Sequence, residues 1–388
     1  MSGVITAVRE VLPQDDDAML VGRVYDTQRR APVPVLVRGR RVWSLAGAAR
    51  TVSDLFDRAD HLAVLRETAD ADATWSVDDI ALPGGAGGAP LTLLPPIDLQ
   101  AIKACGVTFA GSMIERVIEE RSHGDARRAA EVREEMSRAV GADLAGVRPH
   151  TAAAEALKER LSARGWWSQY LEVGLGPDPE VFTKGPVLSA VGTGDDIGVP
   201  AFSSWNNPEP ELVLAVDPRG RIVGVTLGND VNLRDVEGRS ALLLGMAKDN
   251  NRSTAIGPFI RVFDDAFTID DARALTIDLT VTGADGYVLR GENTVSALSR
   301  SFEELVRAAH GEHHQYPDGF VLFTGTLFAP TEDRTEPGEG FTHELGDVVA
   351  IENARLGALV NTVRRTEELP PWTYGIRSLF TDLSREVV

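Results

Sequence analysis

A single cysteine, Cys105, stands in 388 residues. That excludes a disulfide framework and any zinc or iron–sulfur site built on several thiolates, and it points to a reducing compartment. Basic residues are in deficit, with 39 Lys and Arg against 58 Asp and Glu, a formal net charge of −19. Nucleic-acid backbones are held by clustered Lys and Arg that release counterions, so no nucleic-acid partner is expected. Long apolar runs are missing, and the opening MSGVITAVREVLPQDDDAML has no basic start ahead of an apolar stretch. Neither a membrane span nor a secretory leader is therefore expected, and the protein reads as cytoplasmic. What is present, 43% hydrophobic and 25% charged residues, is enough for a large core or two domains.

Val-rich runs at 19–26 and 33–44, the second broken by Gly39, predict a small sheet with a hairpin. A short helix capped by Thr51 or Ser53 is expected to run to Asp57. The stretch LPGGAGGAPLTLLPP, 82–96, concentrates glycine and proline and reads as a boundary between residues 1–94 and 95–388. From about 112 to 165, Glu, Arg and Ala dominate, with Met113, Ile114, Val117 and Ile118 at helical spacing, which predicts two or three helices. After Trp166 come short β-like runs: LEVGLG, VFTKG, ELVLAVD, IVGVTLG, ALTIDLTVTG, FVLFTGTLF and DVVAIEN. The expected fold class is α+β, mainly β, with a helical segment wrapped over antiparallel sheet. Trp166 and Trp167 are expected to pack within the helical segment, and Asp15 to Asp17 to form a solvated, mobile run.

In Asn206-Asn207-Pro208-Glu209-Pro210-Glu211, alternating prolines exclude helix. Residues two apart on an extended chain point the same way, so Glu209 and Glu211 share a face. A turn at Asp217-Pro218-Arg219-Gly220 and a return strand from Ile222 would bring Asp230 back to them. Three converging carboxylates repel unless a cation lies among them, and oxygen ligands select Mg²⁺, Mn²⁺ or Ca²⁺. A bare Glu-x-Glu is more often a solvated strand edge, and spacing alone leaves both readings open. Lys184, Arg234 and Lys248 follow at short range. Each alone reads as a surface cation, whereas a lysine desolvated beside a metal would have the lowered pKa that a general base needs.

Taken together, Pro208-Glu209-Pro210-Glu211-Leu212, Gly228-Asn229-Asp230-Val231-Asn232-Leu233-Arg234-Asp235, Lys248 ahead of Ile256-Gly257-Pro258-Phe259, and Phe323-Thr324-Gly325-Thr326 resemble the fumarylacetoacetate hydrolase superfamily. Gly346-Asp347-Val348-Val349 and Leu356-Gly357-Ala358-Leu359-Val360-Asn361 fit the same pattern. The resemblance implies a mixed β-sandwich or roll with a helical lid and a small N-terminal domain. It implies a Mg²⁺ site, with Mn²⁺ as the alternative, on Glu209, Glu211 and Asp230, and Lys248 beside the reacting carbon. Lys184, Arg234, Glu237 and Thr326 are implied as the surrounding substrate-binding network.

Where hydrolase members carry His in the lid motif this chain has Ser112, three residues before the retained Glu115. Without the imidazole, water activation for C–C cleavage is not expected, and Ser112 reads as a helix cap or a catalytic hydroxyl. Segments such as Trp167-Ser168-Gln169-Tyr170-Leu171-Glu172-Val173 and Met246-Ala247-Lys248-Asp249-Asn250-Asn251 are similar to the branch that dehydrates 2-keto-3-deoxy-pentonates. That implies a lyase with a small 2-keto sugar acid as substrate, in a homodimer or homotetramer. Lys248 would remove the C3 proton and Glu115 would protonate the departing C4 hydroxyl. His314, in Glu312-His313-His314-Gln315-Tyr316, is a candidate contact for substrate hydroxyls or an ordinary loop histidine. An acylpyruvate hydrolase, a 2-keto-acid decarboxylase and a non-catalytic binder are the alternatives.

Overall fold

The structure is a computed structural model describing residues 5–85, 88–140, 147–327, 330, 332–334 and 340–385. Its centre is the hairpin of Pro210–Val216 and Ile222–Asp230, turned at Asp217–Gly220. Both strands are buried nearly throughout. Alternation sends Leu212, Leu214 and Val216 to one apolar core and Val213 and Ala215 to another. A strand covered on both faces reads as a continuous apolar run, as this one does.

This hairpin belongs to a twelve-stranded sheet. Thr254–Val262 flanks the return strand, while Phe320–Phe323, Ala101–Cys105 and Val181–Gly185 continue the other side. One face packs on a second, five-stranded sheet through Ile277, Leu279, Ile351 and Leu359. The other is covered by helices Val52–Asp57 and His61–Asp70, through Leu55, Phe56 and Leu65. Thr51 caps the first of these, its Oγ accepting from Asp54 N at 2.9 Å.

The segment expected to be a separate N-terminal unit is stitched into this sheet. Leu20–Asp26 pairs antiparallel with Leu91–Leu94 and, at Leu20 and Val21, with Arg261 and Ile260. The division at residue 94 thus marks a change in chain composition, and backbone hydrogen bonding runs across it. Asp15 and Asp17, expected to be mobile, are anchored: Asp15 pairs with Arg261, itself almost fully buried, and Asp17 with Arg38 at 3.0 Å.

Helices Ala110–Ser122, Ala126–Val140 and Ala152–Ala163 form the lid and share a small core of Met113, Val117, Ile118, Val132 and Leu161. Residues 171–176, expected as a strand, form the rest of the helix Gln169–Leu175 and its C-cap, Gly176. Ser168 occupies its N-cap position, and Tyr170, Leu171 and Leu175 at helical spacing pack into the lid core. Trp166 and Trp167 stack under Arg121 and Lys158 at the edge of that core.

Candidate active site

The hairpin register sets Glu211 opposite Gly228, and the chain just beyond it closes when Asp230 N donates to Glu209 O at 3.1 Å. Glu209, Glu211 and Asp230 are all at most 4% exposed, and each offers an oxygen within 4.8 Å of the others. Gly325 N donates to Glu211 Oε2 at 2.6 Å. That approach requires glycine, because residue 325 has φ +93° and a Cβ there would lie 2.0 Å from Thr108 Oγ1.

Burial, reinforced by Asp230 and Glu209, pushes the Glu211 carboxyl well above the usual range. The arrangement stores like-charge repulsion that a hard cation would relieve, and an all-oxygen donor set matches such an ion. The solvated-edge alternative fails on burial alone.

Among the described residues, three cations touch the cluster. Lys248 Nζ contacts Glu209 Oε2 and Asp230 Oδ2, the latter at 3.1 Å, and Lys184 Nζ lies 3.0 Å from Asp230 Oδ1. Arg116, reaching down from the first lid helix, pairs with Glu209 Oε1 and, at 3.0 Å, with Glu237. Burial opposes the charge on Lys248, but Asp230 and Glu209 outweigh it and raise its pKa above the ordinary lysine value. With only the chain's own charges around it Lys248 is an ammonium, whereas the lowered pKa expected of it belongs to the site with a cation bound. Lys184, expected to touch substrate, is fully buried and donates to Lys248 O and Ser253 Oγ. Its reach ends on protein groups, so it positions Asp230 and Lys248.

The pocket above the cluster is lined by the three acids with Arg116, Glu237, Lys248, Ser112, Thr326 and Cys105. Burial, opposed by Arg116 and Lys248, pushes Glu237 up to about 7. Burial, with Glu211 and Glu180 adding to it, raises the Cys105 thiol, so it stays protonated and unreactive. Arg234 donates from Nε to Glu119 at 2.6 Å, lies 3.3 Å from Glu115 and stacks over Trp205 with 4.2 Å to the ring centroid. Glu115, the expected proton donor, is gripped by Arg133 through both Nε and Nη2. It lines an adjoining crevice with Arg234, Glu119, Thr326 and the triad acid Glu209, while the acid pocket itself is lined without it.

Ser112 Oγ donates to Phe109 O at 2.9 Å and accepts from Phe109 N at 3.3 Å, bonds of helix capping. The helix starts at Ala110, not Met113, which moves Ser112 into its first turn. His314 lies elsewhere. It packs on Tyr316, which packs on Phe320, and Phe320 pairs with Val216 at the turn end of the hairpin, opposite the acids. A substrate contact for His314 in this pocket is excluded by that distance along the strand. Arg116 and Glu119 were not singled out from sequence. Their signal was the polar series Ser112, Glu115, Arg116, Glu119 at i, i+3, i+4, i+7, beside the apolar Met113, Ile114, Val117 and Ile118.

A buried carboxylate triad under a helical lid, on a sheet covered on both faces, is a donor set that fits a hard cation. Residues 152–364, more than half of the chain, match the C-terminal family of fumarylacetoacetate (FAA) hydrolase, and the chain belongs to that family. It is 36% identical over 195 residues to a probable 2-keto-3-deoxyxylonate dehydratase of Haloferax volcanii, covering 50% of this chain and 63% of the relative. It is 31% identical over 191 residues to the 2-dehydro-3-deoxy-D-arabinonate dehydratase of Saccharolobus solfataricus, 49% of this chain and 60% of that one. The chain thus spans less than two thirds of these relatives' length.

The fold matches 2-keto-3-deoxy-D-arabinonate dehydratase complexed with magnesium and 2,5-dioxopentanoate, with TM-score 0.58, 21% identity and coverage of 89% of this chain and 100% of the other. It also matches a fumarylacetoacetate hydrolase from Exiguobacterium antarcticum, with TM-score 0.52, 14% identity and coverage of 90% and 100%. Among the described residues no helix is long and apolar enough to cross a membrane.

Proposed function

We propose that this protein is a lyase that removes water from a 2-keto-3-deoxy-pentonate, of the D-xylonate or D-arabinonate type, to give 2-oxoglutarate semialdehyde with Mg²⁺ as cofactor. Mn²⁺ is the alternative ion. The observation that carries the reading is the buried triad of Glu209, Glu211 and Asp230, with titratable Glu237 and Lys248 lining the same pocket. The names of the two relatives and the product-bound structural neighbour supply the substrate class. With it go a cytoplasmic location and a homodimeric or homotetrameric assembly.

When bound to the triad, a divalent cation supplies Lewis-acid stabilisation of negative charge on a 2-oxo carboxylate. The chain's own groups handle the protons. Glu237, poised near neutrality, is suited to take the C3 proton, since a general base works best when its pKa lies near the working pH. The Lys248 ammonium is suited to protonate the C4 hydroxyl as it leaves as water. This elimination leaves a 3,4-unsaturated 2-keto acid; transfer of a proton from C5 to C3 turns it into the C4–C5 enol, which tautomerises to the semialdehyde, and Glu237 and Lys248 return to their starting states by exchange with solvent. Thr326, which lines the pocket beside the Gly325 amide, is suited to hold the substrate carboxylate. Arg234 and Glu119 tie the lid helix over the pocket.

An acylpyruvate hydrolase is disfavoured because Ser112, spent on capping, puts no imidazole over the cluster. Purified protein should turn over 2-keto-3-deoxy-D-xylonate or D-arabinonate in a coupled semialdehyde dehydrogenase assay and stop in EDTA. Hydrolysis of an acylpyruvate, with no semialdehyde from either sugar acid, would overturn the reading.

A further inference from the structure

The acid pocket is tight. The space in it that admits a water is about 20 Å³, room for about one molecule and far too little for a five-carbon acid. The roof that must move is the helix Ala110–Ser122, and one of its side chains reaches directly to a carboxylate of the floor. Arg116, only 12% exposed, pairs with Glu209 Oε1, while Lys248 takes Glu209 Oε2. Both oxygens of one triad acid are thus already engaged by cations of the chain.

Arg116 is also bound to Glu119 on its own helix and to Glu237 in the pocket. Glu119 is held in turn by Arg234, whose Nη1 donates to Pro330 O at 2.9 Å. Roof and floor therefore meet at the Arg116 guanidinium, and Pro330 joins them through Arg234. Arginine suits this because its planar fork can serve several carboxylates at once, whereas an ammonium is a point charge.

We propose that Arg116 is a latch: by occupying Glu209 it holds the lid helix shut and competes with the divalent cation for that carboxylate. Cation uptake and lid release are then two sides of one exchange. The ion takes the Glu209 oxygen, and the guanidinium withdraws with Glu119, its partner on the lid helix, leaving Glu237 as well. Since coupling is reciprocal, anything that opens the lid tightens cation binding by the same factor. Arg116 is in this sense a positioning residue. The inference uses the cation site of the proposed function, but it does not need the sugar-acid chemistry.

The test uses the whole protein without substrate, measuring Mn²⁺ binding by calorimetry or electron paramagnetic resonance and amide hydrogen exchange along the helix. Arg116→Gln should bind Mn²⁺ at least about tenfold more tightly than wild type, and its lid helix should exchange faster before any metal is added. In the wild type, Mn²⁺ itself should speed exchange in that helix. Arg116→Lys keeps a cation and guards against misfolding of the Gln variant; it should fall between the two. Unchanged or weaker Mn²⁺ affinity in both variants, with unaltered helix exchange, would overturn the latch and leave the dehydratase reading standing. A tightened affinity with no turnover of any sugar acid in the wild type would do the reverse.

Discussion

The two ends of the central hairpin each bury a carboxylate, and they treat it in opposite ways. At the turn, Asp217 is fully buried and satisfied: it accepts from Arg219 N at 2.8 Å, Arg221 N at 2.9 Å and Arg221 Nε at 2.6 Å. At the other end, Glu211 is just as buried, accepts from Gly325 N and faces two more acids. An acid that closes a turn gathers N–H groups; an acid kept for chemistry is left electrostatically unfinished. Burial is the same in both places, so the surroundings decide which is structural.

Removing the unfinished acid should have the largest effect. Glu211→Gln is expected to cut turnover by roughly a thousandfold or more, about 4 kcal/mol of barrier, and to abolish Mn²⁺-dependent thermal stabilisation. The metal-free variant should melt higher than the metal-free wild type near neutral pH, because it no longer has to keep a buried carboxyl protonated against its ordinary pKa. Metal-dependent turnover surviving in the variant would contradict the ligand assignment.

Next come the proton carriers, with losses of about 10²- to 10⁴-fold in turnover. Glu237→Gln should lose exchange of the C3 hydrogens with deuterated solvent, whereas Lys248→Met should keep exchange and lose dehydration. The opposite pattern would return the C3 proton to Lys248. Because Glu237 is raised to about 7, activity should fall as pH drops below about 7, where the base becomes protonated. Stability should move the other way: the Glu237 contribution is complete below the ordinary glutamate pKa of about 4.3 and is lost as pH rises through about 7. Melting temperatures of wild type and Glu237→Gln across that range should diverge with this sign.

At the structural end, Asp217→Ala should leave the catalytic constants intact and cost about 1–3 kcal/mol, read as a lower urea midpoint. Loss of activity in a folded Asp217→Ala protein would erase the contrast between the ends. The smallest effect is expected of Ser112→Ala. Its hydroxyl serves the Phe109 backbone, so a stability loss of no more than about 1 kcal/mol with unchanged turnover should follow.

The acid end was legible in the sequence because proline at alternate positions and a turn of Asp, Pro and Gly fix both the extended backbone and the way back. The core strands were legible as apolar runs for the same reason that they are buried on two sides. Where local pattern is ambiguous, legibility ended. Leu171-Glu172-Val173-Gly174-Leu175 alternates like a strand, and only the lid core it packs against makes it a helix. The charge state of Lys248 was out of reach for another cause. It is set by carboxylates 39 and 18 residues away, whose distances exist only after folding. Long, flexible Arg116 shows the same limit, since its three acids lie on the lid, the hairpin and the short helix Arg234–Glu237.

The pairing of Leu20–Asp26 with Thr254–Val262 has a practical consequence. A fragment trimmed to residues 152–364 would lack this N-terminal neighbour, together with the strand Ala101–Cys105 on the far side of Phe320–Phe323. Each loss bares a row of backbone donors and acceptors beside apolar surface, a template for joining a second chain edge to edge. Expressed alone, the segment that carries the family signature is expected to aggregate: the unit recognised by sequence likeness is smaller than the unit that can stand in water.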